Sequence, residues 1–211
     1  INDCKNQSGS ALASTTFNSI SELSILNNLC KQLDSSSLIF VANSLAIRIF
    51  NNYVVSKHQH IIYANRGASG IDGNLSTAIG IAKDQKKPLY FICGDLTFLY
   101  DLNALVLLQQ TGVKIKIILL NNNGGKIFTF LPVKDHFDQL NPYFTTPHHL
   151  TMSHLAKQFN LTYDTVSDAN FSDLDKLIQK HINNNAASLL ECNFDEKNTK
   201  KQINSLSNSF L

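Results

Sequence analysis

Charge is scarce in this sequence. Asp, Glu, Lys and Arg make up 16% of the 211 residues, and 18 basic against 16 acidic side chains leave a formal charge of +2. No basic stripe of the kind that follows a nucleic-acid backbone is present, so nucleic-acid binding is not expected. Cysteine is also sparse. Cys4, Cys30, Cys93 and Cys192 lie far apart and form no C-x-x-C pair. That sets aside a zinc ribbon, a thioredoxin-type redox pair and a dense disulfide framework, and it suits a reducing, cytoplasmic setting. No apolar run reaches the ~18 residues of a membrane span. The opening residues, INDCKNQSGS, are polar and carry no signal-peptide pattern. N-x-[ST] occurs at Asn6, Asn74, Asn160 and Asn170; in an Asn-rich chain without a secretion signal these are expected to be chance matches. No repeat of 20–50 residues is present.

What is present is a foldable composition. Hydrophobic residues are 43% of the chain, enough for the core of one globular domain. The chain begins with Ile1 rather than Met, so it is expected to be a piece of a longer protein. Residues 1–18 are rich in Ser, Asn and Thr and read as a linker or lead-in, with the domain proper over 19–211. Apolar residues at Ile20, Leu23, Leu26 (or Ile25), Leu29 and Leu33 mark a helix. Leu38–Ala42 is a short apolar run that suits a strand buried on both faces, and Asn43 or Ser44 can cap the helix after it.

The alternation continues. Strands are expected at Ile61–Tyr63, Pro88–Cys93, Lys114–Leu120, Thr162–Val166 and Ser188–Cys192. Helices are expected at Leu75–Lys83, at Met152–Phe159, at Leu174–His181 and, as one long apolar element, at Phe98–Gln110. A loose helix follows Asp195. This order predicts a three-layer α/β/α domain with a central, mostly parallel sheet. The stretch 126–150 breaks the pattern: it is long, carries Pro132, Pro142 and Pro147, and mixes aromatics with histidines. Such loops are often functional.

In a parallel sheet the loops that leave the carboxyl ends of the strands share one side, where ligands bind. Here they are Asn43-Ser44 with Arg48 one turn later, Asn65–Gly73, Gly94-Asp95 and Asn121–Gly125. Asn122 follows Asp95 by 27 residues, a gap that fits one helix and one strand. A carboxylate, an amide oxygen and a Gly carbonyl make a hard oxygen set that suits Mg2+ with phosphate oxygens, and a helix opening after Asp95 can offer N–H groups to the same phosphates. The same residues also end strands as plain Gly-Asp and Asn-Gly turns. Other phosphate and nucleophile motifs fail. Gly124-Gly125-Lys126 is followed by Ile127, so there is no P-loop; G-x-G-x-x-G is absent; GASG lacks the spacing of a nucleophile elbow at Ser69.

Gly94-Asp95 followed by Asn121-Asn122 resembles the signature of the thiamine-diphosphate-dependent enzymes. The usual third residue of that signature, Gly, is Leu96 here. NRGASGIDG, GDLTFLYDLNAL and NNNGGKIFTFLP, with FVANSLAIR and TPHHLTMSHLAKQF, are similar to the MenD branch of that family from about Leu38 onward. The resemblance implies the thiamin diphosphate-binding fold and, specifically, the last of three α/β domains, which holds the diphosphate. It implies an enzyme of the transferase class in menaquinone biosynthesis. Such an enzyme decarboxylates 2-oxoglutarate and adds the succinyl semialdehyde unit 1,4 to isochorismate, as a homodimer or tetramer.

Carried over by motif, Asp95, Asn122 and the Gly124 carbonyl would bind Mg2+ (or Mn2+). Gly94, Leu96 and Thr97 would hold the diphosphate, Ile71 would bend the cofactor, and the Ser69 carbonyl would meet its aminopyrimidine. Ser44 and Arg48 are assigned to the succinyl carboxylate, Arg66 to substrate or intermediate, and Ile127 and Phe128 to the pocket wall. Guanidinium groups match carboxylates in shape and charge. The activating Glu of the family would lie on the first domain, so the 211-residue chain alone is expected to be inactive.

Plainer roles stand beside these: a helix cap for Ser44, surface guanidinium groups for Arg48 and Arg66, core for Ile71. His58, His60, His148, His149 and His154 lack carboxylate or Cys partners at ligand spacing and are expected to be solvated or loop-packed, with Thr145–His149 a mobile segment over the site. The rival readings are a different thiamine-diphosphate 2-oxoacid decarboxylase or synthase, and a non-catalytic oligomerisation domain.

Overall fold

Six short parallel strands build the described part of the molecule. The computed structural model describes residues 16–54, 58–132 and 141–208; most of the 1–18 lead-in and the middle of the 126–150 stretch lie outside them. The strands are β1 (Leu38–Val41), β2 (Ile61–Tyr63), β3 (Leu89–Gly94), β4 (Ile115–Asn121), β5 (Thr162–Val166) and β6 (Ser188–Asn193), in the spatial order β2-β1-β3-β4-β6-β5. Every neighbouring pair is parallel, so the expected mostly parallel sheet is wholly parallel. Such sheets need cover on both faces, and the four central strands β1, β3, β4 and β6 are buried on both. In β1, Ile39 and Val41 face one layer while Leu38 and Phe40 face the other.

Helices α1 (Glu22–Gln32), α2 (Leu45–Tyr53), α7 (Leu174–Asn183) and α8 (Glu196–Asn208) lie on the first side, packing Leu26, Ile49, Ile178 and Leu206 against Ile39, Ile92 and Ile118. Helices α3 (Asn74–Gln85), α4 (Asp95–Tyr100), α5 (Ala104–Thr111) and α6 (Ser153–Gln158) cover the second, with Leu75, Phe98, Leu105 and Ala156 against Phe40, Phe91 and Ile117. The three-layer α/β/α reading is borne out. Among the described residues no helix is long and apolar enough to cross a membrane.

Three local expectations need correction. The apolar run Phe98–Gln110 is not one helix but the end of α4 and most of α5, broken at residues 101–103. Asp101 is the reason: it is buried, and its carboxylate accepts from the Ser76 N–H (2.8 Å) and hydroxyl (3.1 Å) in the first turn of α3. A carboxylate at a helix N-terminus satisfies orphan donors there, and that bond turns the chain. Gly94-Asp95 is no turn, because β3 runs directly into α4. Ser44 occupies the cap position of α2 but makes no capping bond, and its φ is +79°. Asn43 does not cap α2 either; its amide reaches across to another loop.

The chain leaves β1 outward to β2 and returns to β3 on the other side of β1. Order reverses there, which opens a crevice beyond the carboxyl ends of β1 and β3. Asn43-Ser44 and Gly94-Asp95 stand at its two lips.

Candidate functional site

The crevice is a cavity of about 350 Å3 lined by loops from β1, β2, β3 and β4. Gly94, Asp95, Leu96, Thr97, Asn122, Gly124, Ser69 and Ile71 all line it, so the structure brings together the whole set that the sequence assigned to metal and cofactor. Asp95 opens α4 and is buried. Its Oδ1 accepts from the Leu96 N–H (2.7 Å) and its Oδ2 from the Gly124 N–H (2.7 Å). These charge-assisted bonds hold the β3 and β4 loops at a fixed separation. The Leu96 N–H is thereby committed to its neighbour's carboxylate; the Thr97 N–H belongs to the same first turn, whose donors have no acceptor within the helix.

Gly124 is required where it stands. Its φ is +120°, and a Cβ there would lie 2.1 Å from the Thr145 carbonyl oxygen. The same carbonyl accepts from the Gly125 N–H at 2.7 Å, so the segment returning from the long loop lies directly on the glycine pair. The Gly124 carbonyl accepts from the Lys126 N–H at 2.8 Å, which leaves its second lone pair for another ligand. At Gly94 a Cβ would meet nothing within 4 Å; it borders the cavity, and open space surrounds the missing side chain.

The run Asn121–Asn123 shows three amides with three assignments. Asn121 Nδ2 donates to buried Glu191 (2.6 Å), and its Oδ1 accepts from the Asn123 N–H (3.1 Å). Asn123 Oδ1 accepts from the N–H groups of His148 (3.0 Å) and His149 (2.8 Å). Asn122 Nδ2 donates to Glu22 (3.1 Å), so its oxygen is the side left to meet a ligand. A carboxylate, an amide oxygen and a glycine carbonyl around one cavity fit a hard divalent cation that keeps water and phosphate oxygens in its remaining positions.

The sequence reasoning missed three residues here. Asn43, buried, donates from Nδ2 to the Gly70 carbonyl (2.7 Å) and accepts from Arg66 Nη1 (3.3 Å). Asn74 Nδ2 donates to the same carbonyl (3.2 Å) and to that of Asp72 (3.0 Å). Together they fix the 69–73 loop that carries Ser69 and Ile71. Asn43 was legible as a polar residue ending an apolar strand. Glu22 left no such signal, since an acid in a helix's first turn ordinarily needs no further reason. It is buried and lines the cavity. Burial pushes its carboxyl up to about 7, opposed by hydrogen bonds from Thr199, its own N–H and Asn122, and reinforced by the charge of Asp95.

His148 is a correction. It is neither solvated nor merely loop packing: Nε2 stands 3.1 Å from Asp95 Oδ2, an ion pair whenever the imidazole is protonated. Thr145 is buried against the glycine pair.

A second cavity of about 600 Å3 adjoins the first and shares Ser44, Ser69, Ile71, Ile127 and Phe128 with it. Arg48 and Arg66, both exposed, line it from α2 and from the loop after β2. All five residues assigned to substrate therefore fall on one chamber, with apolar walls from Phe128, Phe130 and Leu131.

The comparison with known proteins meets this geometry. Residues 45–192 match the family described as thiamine pyrophosphate enzyme, C-terminal TPP binding domain. The chain belongs to that family. Relatives named 2-succinyl-5-enolpyruvyl-6-hydroxy-3-cyclohexene-1-carboxylate synthase occur in Pelodictyon phaeoclathratiforme (41% identical over 68% of this chain and 25% of the relative), Chlorobium chlorochromatii (44% over 68% and 25%) and Shewanella frigidimarina (33% over 92% and 32%). The chain thus spans about a quarter to a third of the length of these relatives. Glu22 and Thr199 both lie outside the residues matched to the thiamine pyrophosphate family.

Proposed function

We propose that this chain is the diphosphate-binding domain of a thiamine-diphosphate- and Mg2+-dependent 2-succinyl-5-enolpyruvyl-6-hydroxy-3-cyclohexene-1-carboxylate synthase. Such an enzyme is a cytoplasmic transferase of menaquinone biosynthesis that works on 2-oxoglutarate and isochorismate as a homodimer or tetramer. The observation that carries the reading is the convergence of Asp95, Asn122 and Gly124 on one cavity, next to a second that holds Arg48 and Arg66.

Asp95, the Asn122 amide oxygen and the Gly124 carbonyl hold Mg2+ (or Mn2+), with Gly94 leaving room for the diphosphate and the Thr97 N–H offered to it. The 69–73 loop, braced by Asn43 and Asn74, presents Ile71 and the Ser69 carbonyl to the rest of the cofactor. When bound, thiamine diphosphate supplies the nucleophilic carbon and the electron sink for decarboxylation and carbon–carbon bond formation. Arg48, with Ser44 one turn before it, takes the distal carboxylate of 2-oxoglutarate. Arg66, steadied by Asn43, faces the same chamber for a substrate or intermediate carboxylate. Ile127 and Phe128 exclude water between the two chambers.

Calorimetric titration with thiamine diphosphate, with and without Mg2+, tests the reading. Binding should require Mg2+ and vanish in Asp95→Ala. In the full-length parent, product should form from 2-oxoglutarate with isochorismate and not from pyruvate alone; the reverse preference would favour a different thiamine-diphosphate decarboxylase. Mg2+-independent binding, or binding that survives Asp95→Ala, would remove the metal assignment.

A further inference from the structure

An asparagine that ligates a metal must present oxygen, yet its amide has two ends of nearly equal size, and only the surrounding hydrogen bonds decide which end faces the ion. Asn121 spends both ends inside the protein, on Glu191 and on the Asn123 N–H. Asn122 spends its nitrogen on Glu22. Glu22 Oε1 accepts from the NH2 end, which turns the Asn122 oxygen toward the cavity. Glu22 is itself held: the Thr199 hydroxyl, from α8, donates to Oε2 while Asn122 occupies Oε1. Glu22 as a whole is 1% exposed. Burying such a group is costly unless it is paired or hydrogen-bonded, and a plain first-turn acid could sit in water at no such cost.

From this arrangement we infer that Glu22 is a positioning residue for the metal site, fixing the Asn122 amide so that its oxygen faces the cation. The inference rests on the proposed metal reading. It also assigns a role to the flanking helices α1 and α8, which supply Glu22 and Thr199 from outside the residues shared with the wider family.

The probe is Mn2+, titrated into the full-length parent enzyme in the presence of thiamine diphosphate, with the free-ion electron paramagnetic resonance signal as readout. Glu22→Leu removes the acceptor and should weaken Mn2+ binding roughly 10- to 100-fold, the usual range for an outer-shell partner of a ligand. Glu22→Gln should bind Mn2+ as the parent does, because its carbonyl oxygen still accepts from Asn122 and the Thr199 hydroxyl can turn to accept from its NH2. A merely structural Glu22 predicts the other pattern: both variants lose thermal stability and both bind Mn2+ as the parent does. That result overturns the inference.

Should Glu22→Leu fail to fold, Thr199→Val carries the test. It releases one oxygen of the carboxylate and should weaken Mn2+ about threefold, a small fraction of the loss set by removing an outer-shell partner; parent-like affinity there overturns the inference equally. Asp95→Ala separates the two levels. If it keeps Mn2+, the metal reading fails and this inference with it; if it loses Mn2+ while Glu22→Leu keeps it, only the role of Glu22 fails.

Discussion

Residues with nearly identical local sequence carry different duties here, and the difference comes from contacts far away in the chain. Asp95 was readable because a Gly-Asp ending an apolar strand and an Asn-Asn one helix and strand later make a spaced pattern. Glu22 was not, because its partners Asn122 and Thr199 are 100 and 177 residues distant. Its burial gives a pH signature. Unfolded, the carboxyl ionises near its ordinary value of 4.5; folded, it is pushed up to about 7. Between these values the folded chain binds the extra proton, so this group makes stability fall as pH rises from about 4.5 to about 7 and contributes no further change above that. In the metal-free protein, Glu22→Gln should therefore gain on the parent as pH rises from 5 to 8, by up to about 2–3 kcal/mol in urea unfolding. A gap that stays constant across that range would refute the buried, proton-linked carboxyl. Gly124→Ala should cost about 1–3 kcal/mol, since it pairs a left-handed backbone with a Cβ pressed on the Thr145 carbonyl. Equal denaturation midpoints for the two would contradict that contact.

At the level of elements, periodicity located the buried strands well because a fully apolar strand between two helical layers has no other place to go. It failed at α4 and α5, where apolar residues run on either side of Asp101 and nothing local reveals that its carboxylate is bonded to α3. It was also blind to what anchors the long loop. Glu191 on β6 is fully buried and accepts from Asn121 Nδ2 at Oε1 (2.6 Å), and from the Met152 N–H (3.0 Å) and Tyr163 hydroxyl (2.7 Å) at Oε2. Asn121 Nδ2 also donates to the Leu150 carbonyl (3.2 Å). One acceptor-only group thus ties β4, β5 and β6 to the segment that carries His148 back to Asp95. Glu191→Gln must set an NH2 against a donor whichever way it turns, which should cost about 2–4 kcal/mol. The same change should speed protease cleavage between Thr146 and Leu150. Unchanged cleavage kinetics would show that the loop is held by something other than this carboxylate.

At the scale of the whole molecule, the two chambers hold hard oxygen donors and guanidinium groups, and what they offer as an acid is limited. Of the described residues that line them, Glu22 and Asp95 carry the only carboxyls. Asp95 is engaged by two backbone N–H groups, and Glu22 by Asn122 and Thr199. Both are thus held by hydrogen bonds within the site, and under the proposed function the proton relay to the cofactor is expected from another group. Exposed apolar side chains on the long loop point the same way: Tyr143 is 77% exposed, and Phe144, Leu131 and Leu150 also face outward, the kind of surface that can mark an interaction site. The matched residues make up only 25% to 32% of the relatives, and under the proposed function the remainder of such an enzyme would supply both the acid and the cover. The 211-residue chain by itself is therefore expected to bind Mg2+ and thiamine diphosphate weakly and to form no product from 2-oxoglutarate and isochorismate, while the full-length parent turns over. Product from the purified chain alone would mean that a group within this domain activates the cofactor, and His148, the remaining titratable side chain at Asp95, would be the first to replace.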